Sequence, residues 1–189
     1  LAAERGDATG QNHLGYMYEM GLGVKKDDWE SIRWYKLAAE QGNTQAQNNL
    51  GKKYLWGQGV AVNNTEAGKW FRLAAEQGFI ESQVNLASMY HKGMGVVKDE
   101  REAVRWYRLA AVRGDPVAQH NLGYMYHIGA GVEKNETEAF QWYKLSAEQG
   151  FVAAQVILGK MYLEGRGIAS NEESAAKWFH LAAEKGNRE

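Results

Sequence analysis

The sequence calls for an all-α solenoid built from five helix-turn-helix units. Five tryptophans, Trp34, Trp70, Trp106, Trp142 and Trp178, stand 36 residues apart, and a fixed period of this length marks a repeat array. Five further series keep the same step: Gly6 to Gly186, Gln11 to Gln155, Leu14 to Leu158, Tyr18 to Tyr162 and Gly23 to Gly167. No insertion or deletion breaks the register, which sets units at approximately 6–41, 42–77, 78–113, 114–149 and 150–185. One proline against 22 glycines suits helices that are closed again and again by glycine.

Each unit reads as two helices. In the first unit, helix one runs from about Ala8 to Met20, with Asp7 as N-cap and Gly21 as the left-handed closing residue. Asn43 and Asp115 repeat the cap, Phe79 and Phe151 depart from it, and Pro116 falls at a first helical position, where its missing N–H costs nothing. Helix two starts after Asp27, Asn63, Asp99, Asn135 or Asn171, with Glu30, Glu66, Glu102 and Glu138 three positions later in the pattern of a capping box. Gly42, Gly78, Gly114, Gly150 and Gly186 stop it. Connections this short make the two helices antiparallel neighbours. Such a hairpin cannot bury its apolar stripe alone, and stacking on the next hairpin does so.

The chain is 44% hydrophobic and carries a formal net charge of −1, which gives it no overall pull toward nucleic acid or acidic membrane. The absence of cysteine excludes disulfides, thiol catalysis and sulfur-ligated metal. No apolar run approaches the roughly 20 residues that span a bilayer. Leu1 falls where a helix should be finishing, so the expectation is a fragment of a longer chain.

The recurring motif is Ala-Gln-x-x-Leu-Gly-x-x-Tyr-x-x-Gly-x-Gly-Val, then Asp or Asn, then Ala-x-x-Trp-Tyr-x-x-Ala-Ala-Glu-Gln-Gly. The fourth unit carries it as Ala118, Gln119, Leu122, Gly123, Tyr126, Gly129, Gly131, Val132, Asn135, Ala139, Trp142 and Tyr143. This motif resembles the Sel-one-like repeat, a relative of the tetratricopeptide repeat with a longer connecting loop. The resemblance covers the whole chain. Departures are Gly10, Ser31 and Ser146 for alanine, Ala87 for glycine, and Val112-Arg113 for Glu-Gln; all but the last keep a small side chain for close helix packing. The resemblance implies a right-handed α-α superhelix that serves as a scaffold for protein–protein contacts, frequent in bacteria and often exported. On it alone rest the expectations of a periplasmic or secreted location, and of an adaptor or virulence factor engaging a host or envelope protein.

Comparing the units with one another separates packing from recognition. At 100° per residue, Gln11, Leu14, Gly15, Met17, Tyr18 and their copies share one side of the first helix. The positions of Thr9, Asn12, His13, Tyr16, Glu19 and Met20 change from unit to unit and share the other. A residue type that recurs in every unit packs the stack, whereas a stripe that varies is released from that task. By resemblance to tetratricopeptide-like solenoids, the first helices line a concave groove, where the stripe is expected to bind a partner protein or peptide. Its residues are His13, Tyr16 and Met20; Asn49, Lys52 and Trp56; Asn85, Ser88 and Lys92; and His120, Asn121, Tyr124, His127 and Ile128. Aromatic groups among amides and charges are the composition of a recognition surface. Tyr16 and Tyr124 are expected as exposed anchors, Trp56 and Ile128 either as anchors or as packing on the next loop, and Trp29 as partly packed. The recurring glutamines are expected to be buried and bonded to backbone.

Other chemistries find no support. The Gly21-Leu22-Gly23 loops follow a helix and lead into Asp or Asn, whereas a phosphate loop follows a strand and opens into a helix. His120 and His127 lie about 10 Å apart along a helix, too far to share a metal. No nucleophile elbow or paired-carboxylate motif appears, so neither a cofactor nor catalysis is expected; the enzyme alternative weighed is a cell-wall-acting hydrolase. Lys52, Lys53, Lys92 and Lys160 are offset by Glu19, Glu81 and Glu164, which leaves no basic track. Glu30-Arg33, Lys36-Glu40, Arg72-Glu76 and Lys144-Glu148 read as helix-surface pairs. A structural module that self-associates end to end is the remaining alternative, since neither end shows a polar capping helix.

Overall fold

The computed structural model describes residues 3–186, and they form an all-α helical-repeat fold. Among the described residues a single 3-10 turn, Ala3–Arg5, precedes ten α-helices. The chain divides into two compact units, residues 1–98 and 99–189. The first holds α1 (Ala8–Met20), α2 (Asp28–Glu40), α3 (Thr44–Trp56), α4 (Asn64–Glu76) and α5 (Ile80–Lys92). The second holds α6 (Glu100–Ala111), α7 (Pro116–Ile128), α8 (Glu136–Glu148), α9 (Val152–Glu164) and α10 (Glu172–Gly186).

The punctuation read from the sequence sets the ends of these helices. Gly21, Gly57, Gly93, Gly129 and Gly165 close the first helices in the left-handed conformation. Asp27, Asn63, Asp99 and Asn135 accept backbone N–H groups at the start of the second helices. Two details differ. Gly186 lies within α10 instead of beyond it. The capping box is replaced as well: the cap N–H of Asp27, Asn63, Asn135 and Asn171 donates to the carbonyl of Tyr18, Tyr54, Tyr126 and Tyr162, at 2.8–3.0 Å. That bond folds the loop back on the preceding helix and frees the glutamates, so Glu30, Glu66 and Glu102 pair one turn on with Arg33, Lys69 and Arg105.

Packing within each unit follows the recurring residues. In the first unit, Tyr35, Ala38, Ala39, Ala46 and Leu50 form a buried cluster against which Trp70 packs. In the second, Phe140, Tyr143, Ala147, Leu158 and Met161 do the same beneath Trp178. Trp70 and Trp178 thus each lie against a core shared by their own repeat and the one before it. The small residue in the first helix is required by close approach: a Cβ on Gly15 would lie 2.7 Å from the Tyr35 ring, and one on Gly51 2.7 Å from Phe71. Repeats also lock through their loops, where Gly131 rests on the carbonyl of Glu100 and Gly167 on that of Glu136.

A glutamine ladder ties the repeats together in a buried setting. Gln11, Gln47, Gln83, Gln119 and Gln155 each donate to the carbonyl of Ala3, Ala39, Ala75, Ala111 and Ala147, eight residues earlier. Gln41, Gln77 and Gln149 donate in turn to the first-helix glutamine of their own repeat. Gln119→Leu keeps the volume but strips both the Ala111 carbonyl and the Gln149 amide of a partner. It is expected to lower the unfolding free energy by about 1–3 kcal/mol, read by urea titration.

Candidate protein-interaction face

On the first unit the candidate face is carried by α1, α3 and α5. Tyr16, Met20 and Trp56 project into solvent, with His13 and Lys92 also exposed and Asn49, Lys52, Asn85 and Ser88 half-buried. The packing beneath them explains why: Gln11, Gly15, Leu50 and Gly51 are turned inward by the stack, and helical spacing turns these positions out. Trp56 is 56% exposed and does not sink into a loop. Instead the Lys52 ammonium stands 5.5 Å from its ring centroid, a cation-π geometry. Lys52 also pairs with Glu81 at 3.0 Å, Asn48 donates to Glu81, Ser82 donates to Asn48, and Asn49 donates to Asn12. The face therefore presents two aromatic groups, Tyr16 and Trp56, beside a polar network that holds the lysine and amides in place.

Three expectations need correction. The Asn12 position does not belong to the free stripe: Asn12 and Asn48 are buried. Its copy His120 is half-buried, with its ring 5.4 Å from Tyr143 and 5.1 Å from Phe151, and burial lowers its pKa. Trp29, expected to be partly packed, is 65% exposed on α2, because the neighbouring positions already fill the core. Arg72 does not pair along the helix but donates to the Tyr90 hydroxyl.

Lys53, grouped by sequence with Lys52, Lys92 and Lys160, differs from them: its side chain is 2% exposed, in a position where the other four repeats carry Met17, Met89, Met125 and Met161. Its ammonium lies 2.9 Å from Glu19 and 2.9 Å from Asp28. Tyr35 donates to Glu19 at 2.6 Å, and burial together with that carboxylate pushes the phenol far above its ordinary range. The hydrogen bond from Lys53 holds Asp28 below the usual carboxylate range. The break in the Met series was the available signal.

On the second unit the face is carried by α7 and α9. Tyr124 and Ile128 are exposed and Asn121 is half-buried. His127 sits 2.9 Å from Glu136, which Lys134 also approaches at 3.3 Å. Burial raises the pKa of Glu136, but the hydrogen bonds from His127 and Lys134 outweigh it and hold the carboxyl low. Among the described residues no group of three or more His, Asp or Glu is placed to hold a metal ion. No described helix is long and apolar enough to cross a membrane.

This geometry coincides with a known repeat. The Sel1 repeat model matches residues 8–43, 44–79, 80–115, 116–151 and 152–187, in the register of the tryptophan series. The chain belongs to the Sel1-repeat family. Sel1-repeat proteins are generally protein-interaction scaffolds, and this one is similar to bacterial members of known structure. A protective antigen of uropathogenic Escherichia coli strains, displaying an SLR fold, superposes with a TM-score of 0.95 at 42% identity, over 98% of this chain and 40% of that one. A Sel1 repeat protein from Oxalobacter formigenes gives 0.92 at 38% identity, over 95% of this chain and 74% of that one. Cysteine rich protein B of Helicobacter pylori gives 0.56 at 27% identity, over 71% of this chain and 97% of that one. The Sel1-repeat segment thus spans about two fifths of the length of the Escherichia coli relative. No curated protein matches the chain.

Proposed function

We propose that this Sel1-repeat chain is a non-catalytic scaffold that binds a partner protein or peptide through the varied face of its first helices. The observation that carries this reading is the coincidence of two independent properties. The first-helix positions that differ between repeats include the exposed, large and partly apolar Tyr16, Met20, Trp56, Tyr124 and Ile128, whereas the recurring Gln11, Gly15 and Leu50 are buried. Exposed aromatic side chains on a firm polar base are the groups that anchor protein interfaces. The face on each unit offers aromatic anchors, Tyr16 and Trp56 on one and Tyr124 on the other, flanked by Lys52, Asn49 and Asn121 for hydrogen bonds. Similarity to a protective antigen supports a partner met at the cell envelope or on a host, and an exported location goes with that reading.

The test is affinity capture with the full chain and with Tyr16→Ala, Trp56→Ala and Tyr124→Ala, singly and combined, with circular dichroism on each variant. The reading expects unchanged helicity and a loss of roughly 30-fold in affinity for the captured protein on removing an anchor. An undiminished catch from the triple variant would assign binding elsewhere.

A further inference from the structure

The second helices carry their own internal comparison, and α6 stands apart from the rest. At the places of Arg108 and Val112, the others read Lys36 and Glu40, Arg72 and Glu76, Lys144 and Glu148, and His180 and Glu184. Three of these pairs close along the helix surface, at 3.9, 3.8 and 3.2 Å. In α6 the glutamate is replaced by Val112, which is 66% exposed. Arg108 donates to the Tyr126 hydroxyl at 2.6 Å, as Arg72 does to that of Tyr90, but without a glutamate one turn on.

Around this exchange α6 presents Arg101, Val104, Arg105, Arg108, Leu109 and Val112, which line an open and largely apolar depression of about 460 Å³. The guanidiniums are held: Arg105 lies over the Trp106 ring at 5.0 Å and meets Glu102 at 3.1 Å, and Arg108 lies over Tyr126 at 5.9 Å. Glu102 pairs with Arg105, and the lining itself holds three guanidiniums and no carboxylate around exposed Leu109 and Val112.

We propose that the outer face of α6 docks an acidic amphipathic segment of a partner protein. Its carboxylates would seat on Arg101, Arg105 and Arg108, and its apolar side chains would fill the depression over Leu109 and Val112. Charge complementarity selects this occupant: the partner returns the carboxylate that the other repeats carry themselves, to planar donors suited to bidentate pairing. A lipid surface fits less well, because the apolar groups line a depression and only one helix takes part. The proposal is independent of the first-helix face.

The test uses the full chain and fluorescence anisotropy with a fluorescein-labelled Leu/Glu peptide whose leucines share one helical face, beside its Leu/Gln counterpart. Val112→Glu installs the residue that the other four repeats carry, and so preserves the fold while placing a carboxylate on the depression one turn from Arg108. The expected result is binding of the Leu/Glu peptide at least about tenfold tighter than of Leu/Gln, with a loss of about tenfold in Val112→Glu and in Arg101→Gln/Arg108→Gln. Tyr124→Ala should bind the peptide as the native chain does. Equal affinity of native chain and Val112→Glu, no saturable change up to about 1 mM peptide, or capture by phosphatidylserine vesicles without peptide binding would each overturn the proposal.

Discussion

Glu19→Ala/Asp28→Ala is expected to unfold with about 3–5 kcal/mol less free energy than the native chain, and Lys53→Met is expected to repair most of that loss. The two carboxylates retain some solvent, at 28% and 35% side-chain exposure, whereas Lys53 has 2%. Removing both acids strands an ammonium in the interior, which is the costly way to break a buried ion pair. Methionine at this position is what the other four repeats use, so the triple variant should come within about 1 kcal/mol of native. Lys53→Met alone should be mild for the same reason. Urea unfolding of the four proteins measures the cycle. Acid adds a second readout. Because the folded-state pKa of Asp28 is depressed by Lys53, its stabilisation is complete above the unfolded value of about 3.9 and is lost as pH falls through the depressed one. That component should vanish in Lys53→Met. A repaired triple variant with unaltered acid dependence would contradict the assignment to the Lys53–Asp28 bond.

Gly131→Ala should destabilise the chain by about 1–3 kcal/mol more than Gly114→Ala. Both glycines have positive φ, +69° and +91°, so both substitutions incur the left-handed strain of about 1–2 kcal/mol. They differ in what a Cβ would meet. At Gly114 nothing lies within 4 Å, whereas at Gly131 the Glu100 carbonyl oxygen would be 2.2 Å away. That oxygen belongs to the first residue of the preceding second helix and cannot yield without moving the helix. Chemical denaturation of the two variants isolates the repeat-to-repeat contact from backbone conformation. Equal losses would mean that the loop does not fasten one repeat to the next.

Much of this molecule was legible because its period is unbroken. The tryptophan step placed every repeat, and glycine with Asp or Asn placed helix ends, because left-handed closure and N-capping are local chemistry. The inward-facing glutamines could be read as buried because five copies in phase with the core leave no other position for them. What escaped depends on exchanges between side chains distant in sequence. Lys53 looked like a surface lysine until Glu19 and Asp28 were seen beside it. The capping glutamates found arginine or lysine partners one turn on because a tyrosine carbonyl took the cap N–H. His120 falls in the varied stripe because its identity changes between repeats, yet its ring packs against Tyr143 and Phe151. Variation marks release from a shared task, and a position can be released by being repacked differently as well as by facing solvent.

Site-specific photo-crosslinking tests the recognition reading most directly. A photoreactive phenylalanine analogue would replace Tyr16, Trp56 or Tyr124 on the first helices, and Leu73 or Leu145 on the outer faces of α4 and α8, in the full chain exposed to its native milieu. The account predicts one discrete protein adduct from the first-helix positions and none from Leu73 or Leu145. Adducts from those outer positions with none from Tyr16, Trp56 or Tyr124 would contradict it.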